Sequence, residues 1–123
     1  MPSQSTLKRF VARVEENAHV EAIEEFYAPN ASMQENDLPP RVGREVLLAN
    51  ERAVLARSRS VKSKCVPPVF VNGDHVVVRW IFEFERNDDS RIRMDELAYQ
   101  RWEGERIVEE KFFYDPRQLQ PLT

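Results

Sequence analysis

The stretch NGDHVVVRWIFEFE, residues 72–85, decides the fold. Asn72-Gly73-Asp74 stands between two apolar runs, the strongest short hairpin signal a sequence offers. Residues 75–85 then alternate. Val76, Val78, Trp80, Phe82 and Phe84 fall on one face, and Arg79, Glu83 and Glu85 on the other. A period of two is that of a strand with one buried face.

Downstream the pattern continues. RNDDS (86–90) turns the chain, and residues 91–102 form a strand whose more apolar face carries Ile92, Met94, Glu96, Ala98, Gln100 and Trp102. EGE (103–105) turns it again into a last strand over 106–115. Upstream, residues 61–71 form a strand interrupted by Pro67-Pro68, hence an edge strand or a bulged one.

Before residue 60 the period is 3.6. Leu7, Phe10, Val11 and Val14 define a helix over roughly 4–16, with Ser3 or Ser5 as cap. Val20, Ile23, Phe26 and Tyr27 mark a second, short helix closed by Pro29. ASMQEND (31–37) reads as a short strand and LPPRVG as a loop. Val46, Leu47, Val54 and Leu55 predict a third helix from Arg44 to about Arg57. Three helices with one early strand, then an antiparallel meander, make an α+β domain with helices packed on one face of a curved sheet. The 123 residues suit a single domain, 1–123, with tails at 1–5 and 117–123.

Composition excludes several classes. The net charge is −3 with charges interspersed, which leaves no basic face for nucleic acid. RSRSVKSK (57–64) is the one basic cluster and reads as a solvated helix end. No apolar run nears the ~20 residues that span a bilayer. The lone Cys65 reads as a small hydrophobe in a strand and points to a reducing, cytoplasmic setting. His19 and His75 are expected at solvent-exposed positions without partners. Neither metal-ligand spacing nor a phosphate-binding loop is present, so no cofactor or metal is expected.

The order of FYAPNASM (26–33), GRE (43–45), NGDHVVVRW (72–80) and RWEGERIVEEKFFYDP (101–116) resembles the nuclear transport factor 2-like superfamily, in its SnoaL-like branch. The resemblance runs from Leu7 to Pro116. It implies a cone: a strongly bent sheet over helices, a pocket on the concave side, and frequent dimers through the sheet. Its members include ketosteroid isomerase, limonene epoxide hydrolase, polyketide cyclases and non-catalytic binding modules. The fold therefore does not choose the function. Laid on this sequence, Glu35 falls at the isomerase's general-base aspartate. Phe10 stands at its oxyanion tyrosine and Ala98 at its protonated aspartate, so neither donor is present. For the hydrolase, Met33 stands at its tyrosine, Phe112 at its base aspartate, and Trp80 and Phe82 at its arginine-aspartate pair.

Strand parity turns Glu35, Glu96 and Gln100 inward among Met33, Trp80, Phe82, Met94 and Trp102. In the last strand, parity with the isomerase pocket turns Val108, Glu110, Phe112 and Tyr114 inward. Composition alone does not separate that strand's faces, which leaves Glu110 inside or out. Glu35 and Glu96 are the candidate catalytic acids, since an apolar lining raises a carboxyl toward the range of a general base. Glu35 is expected to be dried by Met33, Trp80 and Phe112, and the alternative places it at a solvated rim. For Glu96 the alternative is a structural carboxylate bonded to Tyr114, Trp80 or a backbone amide. Phe10, Met33, Trp80, Phe82, Met94, Gln100, Phe112 and Tyr114 are the candidate ligand contacts, for a small apolar molecule. The two functional readings are an isomerase or cyclase using Glu35 as base, and a binding or dimerisation module. Val77, Ile81, Leu97 and Tyr99 on the outward face predict a homodimer, with Arg79, Glu83, Arg93 and Asp95 setting its register across subunits.

Overall fold

The computed structural model describes residues 1–122. The chain forms three α-helices, α1 (Gln4–Glu15), α2 (His19–Phe26) and α3 (Arg44–Ala56), with two strands between the second and third. The strands are β1 (Tyr27–Glu35), β2 (Arg41–Val42), β3 (Ser58–Asn72), β4 (His75–Arg86), β5 (Arg91–Glu103) and β6 (Arg106–Phe113). They form one sheet in the order β2-β1-β6-β5-β4-β3, in which only β1 and β6 run parallel. No helix is long and apolar enough to cross a membrane.

The hairpin forms as its sequence dictates. Asn72 pairs with His75, and Gly73 takes a φ of 61°, which a side chain disfavours. Val76, Val78 and Trp80 are buried on the inner face. Pro67-Pro68 has both expected consequences, since β3 is an edge strand and its register slips between Val66 and Phe70. A second slip between Arg101 and Trp102 lets both Ile107 and Val108 of β6 be buried.

Several boundaries differ from the sequence reading, among them the start of β3, which lies at Ser58 and not at residue 61. β1 begins at Tyr27, not residue 31, because Pro29 ends the helix and holds its predecessor extended. It stops at Glu35, since Asn36 adopts a left-handed φ of 49°. Within LPPRVG, Arg41 and Val42 pair with Met33 and Ser32 and extend the sheet edge. The last strand ends at Phe113, and Pro116–Leu119 form a 3₁₀ turn. Asp115 caps that turn by accepting from the Arg117 amide at 3.0 Å.

The helices cover the inner face. Phe10 of α1 lies edge-on to Phe26, Trp80 and Trp102, with centroids 5.4, 6.3 and 5.8 Å away. With Leu47, Val76, Val78, Ala98 and Ile107 these rings make the core. On the outer face the four charges expected to bridge subunits pair within the chain: Arg79 with Asp95 at 2.7 Å, and Arg93 with Glu83 at 3.9 Å. The antiparallel register places Glu83 directly opposite Arg93 and Arg79 diagonal to Asp95, so both pairs close within the chain.

Candidate functional site

The core does not fill the space between helices and sheet. A cavity of about 330 Å³ remains. The pairing of β4 with β5 builds its floor in successive rungs: Phe84 opposite Ile92, Phe82 opposite Met94, and Trp80 opposite Glu96. Met33 and Glu35 of β1 and Phe112 of β6 extend that wall, and Val14, Ile23, Glu51 and Val54 close it from the helices. Phe10, Met33, Trp80, Phe82, Met94 and Phe112 thus all line one cavity, together with Glu35 and Glu96.

Glu35 and Glu96 differ sharply. Glu35 pairs across strands with Phe112, which lies opposite Ala98 of β5. Its strand and that of Glu96 are therefore two apart, roughly 10 Å between backbones. Its carboxylate takes a hydrogen bond from Tyr114 Oη at 3.0 Å on one oxygen and from Arg41 Nη1 at 3.0 Å on the other. About a third of the side chain is exposed. The expected dry surroundings are absent because β2 brings Arg41 alongside, and ion pairing replaces desolvation. Glu96 has no hydrogen-bond partner among the described residues, so the bracing role toward Tyr114, Trp80 or an amide is not observed. Burial pushes its carboxyl up to about 8, helped by the nearby charges of Glu110 and Glu35.

Gln100 is corrected from ligand contact to core. It is fully buried and spends its amide on Glu110 Oε2 at 2.6 Å and its oxygen on Trp102 Nε1 at 3.0 Å. Glu110, left open by the sequence, is inside: Tyr27 donates to its other oxygen. Burial raises Glu110 to about 7, although both hydrogen bonds act against the rise. The Tyr27 phenol is itself raised by burial and by Glu110. Tyr114 lies off the cavity wall, since its hydroxyl is committed to Glu35. Burial and the Glu35 charge raise it as well.

His19 overturns the exposed reading. It is buried on the cavity wall, with Nδ1 3.2 Å from Glu51 Oε1 and Nε2 2.7 Å from Ser63 Oγ. Those partners lie in α3 and β3, and no local periodicity announces them. His75 is exposed, as expected. Burial and the nearby Glu15 raise the Cys65 thiol, which suits an inert strand residue.

The profile of the SnoaL-like domain matches residues 7–110. The chain belongs to the SnoaL-like family. Solved structures agree on the fold of this SnoaL-like domain. A Mesorhizobium loti protein described as a SnoaL-like polyketide cyclase superposes with a TM-score of 0.75 at 21% identity, over 89% of this chain and 97% of that one. A Burkholderia pseudomallei NTF2-like protein of unknown function gives 0.79 at 13%, over 94% and 92%. A Catenulispora acidiphila protein of ketosteroid isomerase-like fold, in complex with trimethylamine, gives 0.78 at 14%, over 94% and 89%. No curated protein matches the sequence.

Proposed function

We propose that this SnoaL-like domain binds a small, largely apolar carbonyl compound and isomerises or cyclises it by proton transfer between its own carboxyls. The observation that carries this reading is the division between two acids of one cavity. Glu35 accepts hydrogen bonds from Arg41 and Tyr114, while Glu96 has no such partner among the described residues and is raised to about 8. Two carboxyls in such different surroundings suit a base and a proton-bearing partner.

Glu35 takes the proton from the carbon next to the carbonyl. The electron pair moves onto the carbonyl oxygen, and neutral Glu96 donates a hydrogen bond to that developing charge. Glu35 then returns the proton at another carbon, or the enolate carbon attacks a second carbonyl, closes a ring, and the alkoxide so formed takes the proton back from Glu35. Phe10 and Ala98 supply no donor, so Glu96 carries this duty alone. Trp80, Phe82 and Phe112 shield the reacting atoms from water.

The test is deuterium exchange at the α-carbon of cyclohexenone-type ketones in D₂O, followed by NMR. Glu35→Gln is expected to abolish exchange. Glu96→Met, which removes the donor, is expected to slow it by about 10²–10³. Exchange no faster than in buffer refutes the reading. A second reading, a binding module without chemistry, is favoured by the same Phe10 and Ala98. It is supported if such ketones bind without exchanging. The outer sheet face, bearing Leu97, Tyr99 and Phe113, is proposed to pair two copies of the chain.

A further inference from the structure

We propose that the ligand carries a carboxylate, read by Arg57 and Arg86 at the end of the cavity away from Glu35. This rests on the reading of the cavity as a small-molecule site, and names the class of molecule it takes.

Arg57 follows α3 and opens the basic segment 57–64, while Arg86 ends β4. The chain brings them together. Ser58 is the cross-strand partner of Arg86. The amide of Asn87 donates to the Arg57 carbonyl at 3.0 Å, and its side-chain amide to the Ala56 carbonyl at 2.8 Å. Both arginines line the cavity, beside Ser58, Asn50 and Phe84.

Most arginines here are spent on carboxylates, and these two are not. Among the described residues neither guanidinium forms an ion pair or donates a hydrogen bond. The neighbouring acids hold other hydrogen-bond partners: Glu85 and Asp89 hold Arg59, and Asp88 accepts from the amide and hydroxyl of Ser90, feeling Arg86 through its charge without forming an ion pair with it. Arg59, the next basic residue of the segment, is thereby neutralised and leaves Arg57 as its cavity-facing charge. Two arginines with uncommitted guanidiniums on the lining of an aromatic cavity match a planar carboxylate, which each can bind through paired N–H donors.

The cavity is then polarised along its length. The carboxylate sits at Arg57 and Arg86, and the apolar body lies on Phe84, Ile92, Phe82 and Met94. The carbonyl reaches Glu96 and Glu35. At the opposite end the one cation of the lining, Arg41, is already paired with Glu35 at 3.0 Å, so that end offers a carboxylate no unpaired partner among the described residues. The arginines therefore fix the ligand's direction as well as its class.

The test is equilibrium binding, read by tryptophan fluorescence, of 2-naphthoate, its uncharged analogue 2-naphthamide, and 2-naphthyl phosphate. Naphthoate is expected to bind the wild type about tenfold more tightly than the amide, the scale of a charge-assisted pair. Arg57→Gln/Arg86→Gln is expected to erase that preference. Arg106→Gln, an exposed arginine remote from the cavity, is expected to keep it. Equal binding of acid and amide to the wild type overturns the proposal, as does a preference that survives in the double variant. So does binding of none of the three probes. Tighter binding of the phosphate overturns the carboxylate assignment. The readout needs no turnover. A failure of deuterium exchange with the naphthoate preference intact removes the proton-transfer reading and leaves this one standing.

Discussion

Tyr114 donates its phenol to Glu35 Oε1 at 3.0 Å, from just beyond the end of β6. The Tyr114 amide is itself anchored to Asn36 Oδ1 at 3.0 Å, so the ring is fixed from both ends. Tyr114 is a positioning residue for the proposed base. Tyr114→Phe is expected to lower the exchange rate on the order of tenfold, as an oriented hydrogen bond to a charged group is lost. The melting temperature is expected to move by only a few degrees, because the ring still packs. Exchange NMR and circular-dichroism melting read the two effects separately.

Glu96 sets a pH dependence whose sign follows from its position. Its folded-state value of about 8 lies above the ordinary 4.5, so the native state holds a proton that the unfolded chain has released. Stability therefore falls as pH rises from about 4.5 to about 8, and is flat with respect to this group above that. A tenfold difference in proton affinity corresponds to about 1.4 kcal/mol, so the loss is on the order of a few kcal/mol. Glu110, also raised, acts in the same direction. Glu96→Gln is expected to reduce the fall of urea-denaturation stability between about pH 5 and about pH 8, leaving the smaller fall that Glu110 contributes up to about pH 7. In the wild type the proposed activity is expected to fall as pH passes about 8, when Glu96 loses the proton it donates.

The inner polar chain from Tyr27 through Glu110 and Gln100 to Trp102 is fully satisfied, and no buried side-chain polar atom among the described residues lacks a partner. Gln100→Leu breaks it in the middle and strands both the Trp102 N–H and one Glu110 oxygen. The expected cost is about 2–4 kcal/mol, since buried groups left unpaired lose their full desolvation energy. Glu110→Gln keeps the shape and one acceptor and is expected to cost less than Gln100→Leu. Urea titration at about pH 6, below the raised carboxyls, ranks the two.

What was legible in the sequence was parity. Alternation along residues 75–85 fixed which side chains of β4 face the cavity, and pairing carried that to Met94 and Glu96. Pairing between polar groups was not legible. Gln100 and Glu96 share one face of one strand, yet Gln100 meets Trp102 and Glu110 while Glu96 meets no donor. Glu35 was visible as an inward acid, but Arg41 beside it depends on a two-residue strand that paired prolines disguise. His19 was hidden for the same reason: its partners lie 32 and 44 residues away on other elements.

His19 gives a further check. The Glu51 carboxylate only accepts, so His19 Nδ1 carries a proton toward it, while Nε2 is joined to the Ser63 hydroxyl. That bond ties the start of α2 to edge strand β3, and α3 joins through Glu51. His19→Ala removes both bonds and the edge contact with Phe82, whose ring centroid is 5.4 Å away. The expected loss is about 2–3 kcal/mol, against about 1 kcal/mol for Ser63→Ala. Chemical denaturation measures both.

The outer sheet face supplies the last prediction. Leu97, Tyr99 and Phe113 are 45%, 48% and 45% exposed, with Leu97 and Phe113 directly opposed across β5 and β6. Around them Arg79 with Asp95 and Arg101 with Glu109 are already neutralised within the chain. A surface whose charges are internally paired and whose centre is apolar loses little on being covered by its own copy, and a two-fold axis brings the same residues together from both sides. Multi-angle light scattering at micromolar concentration is expected to give twice the 14.5 kDa chain mass. Tyr99→Arg places like charges face to face at the centre of the contact and is expected to return the monomer with the far-ultraviolet circular dichroism unchanged. A wild type that scatters as a monomer refutes the pairing, and so does a Tyr99→Arg variant that remains dimeric.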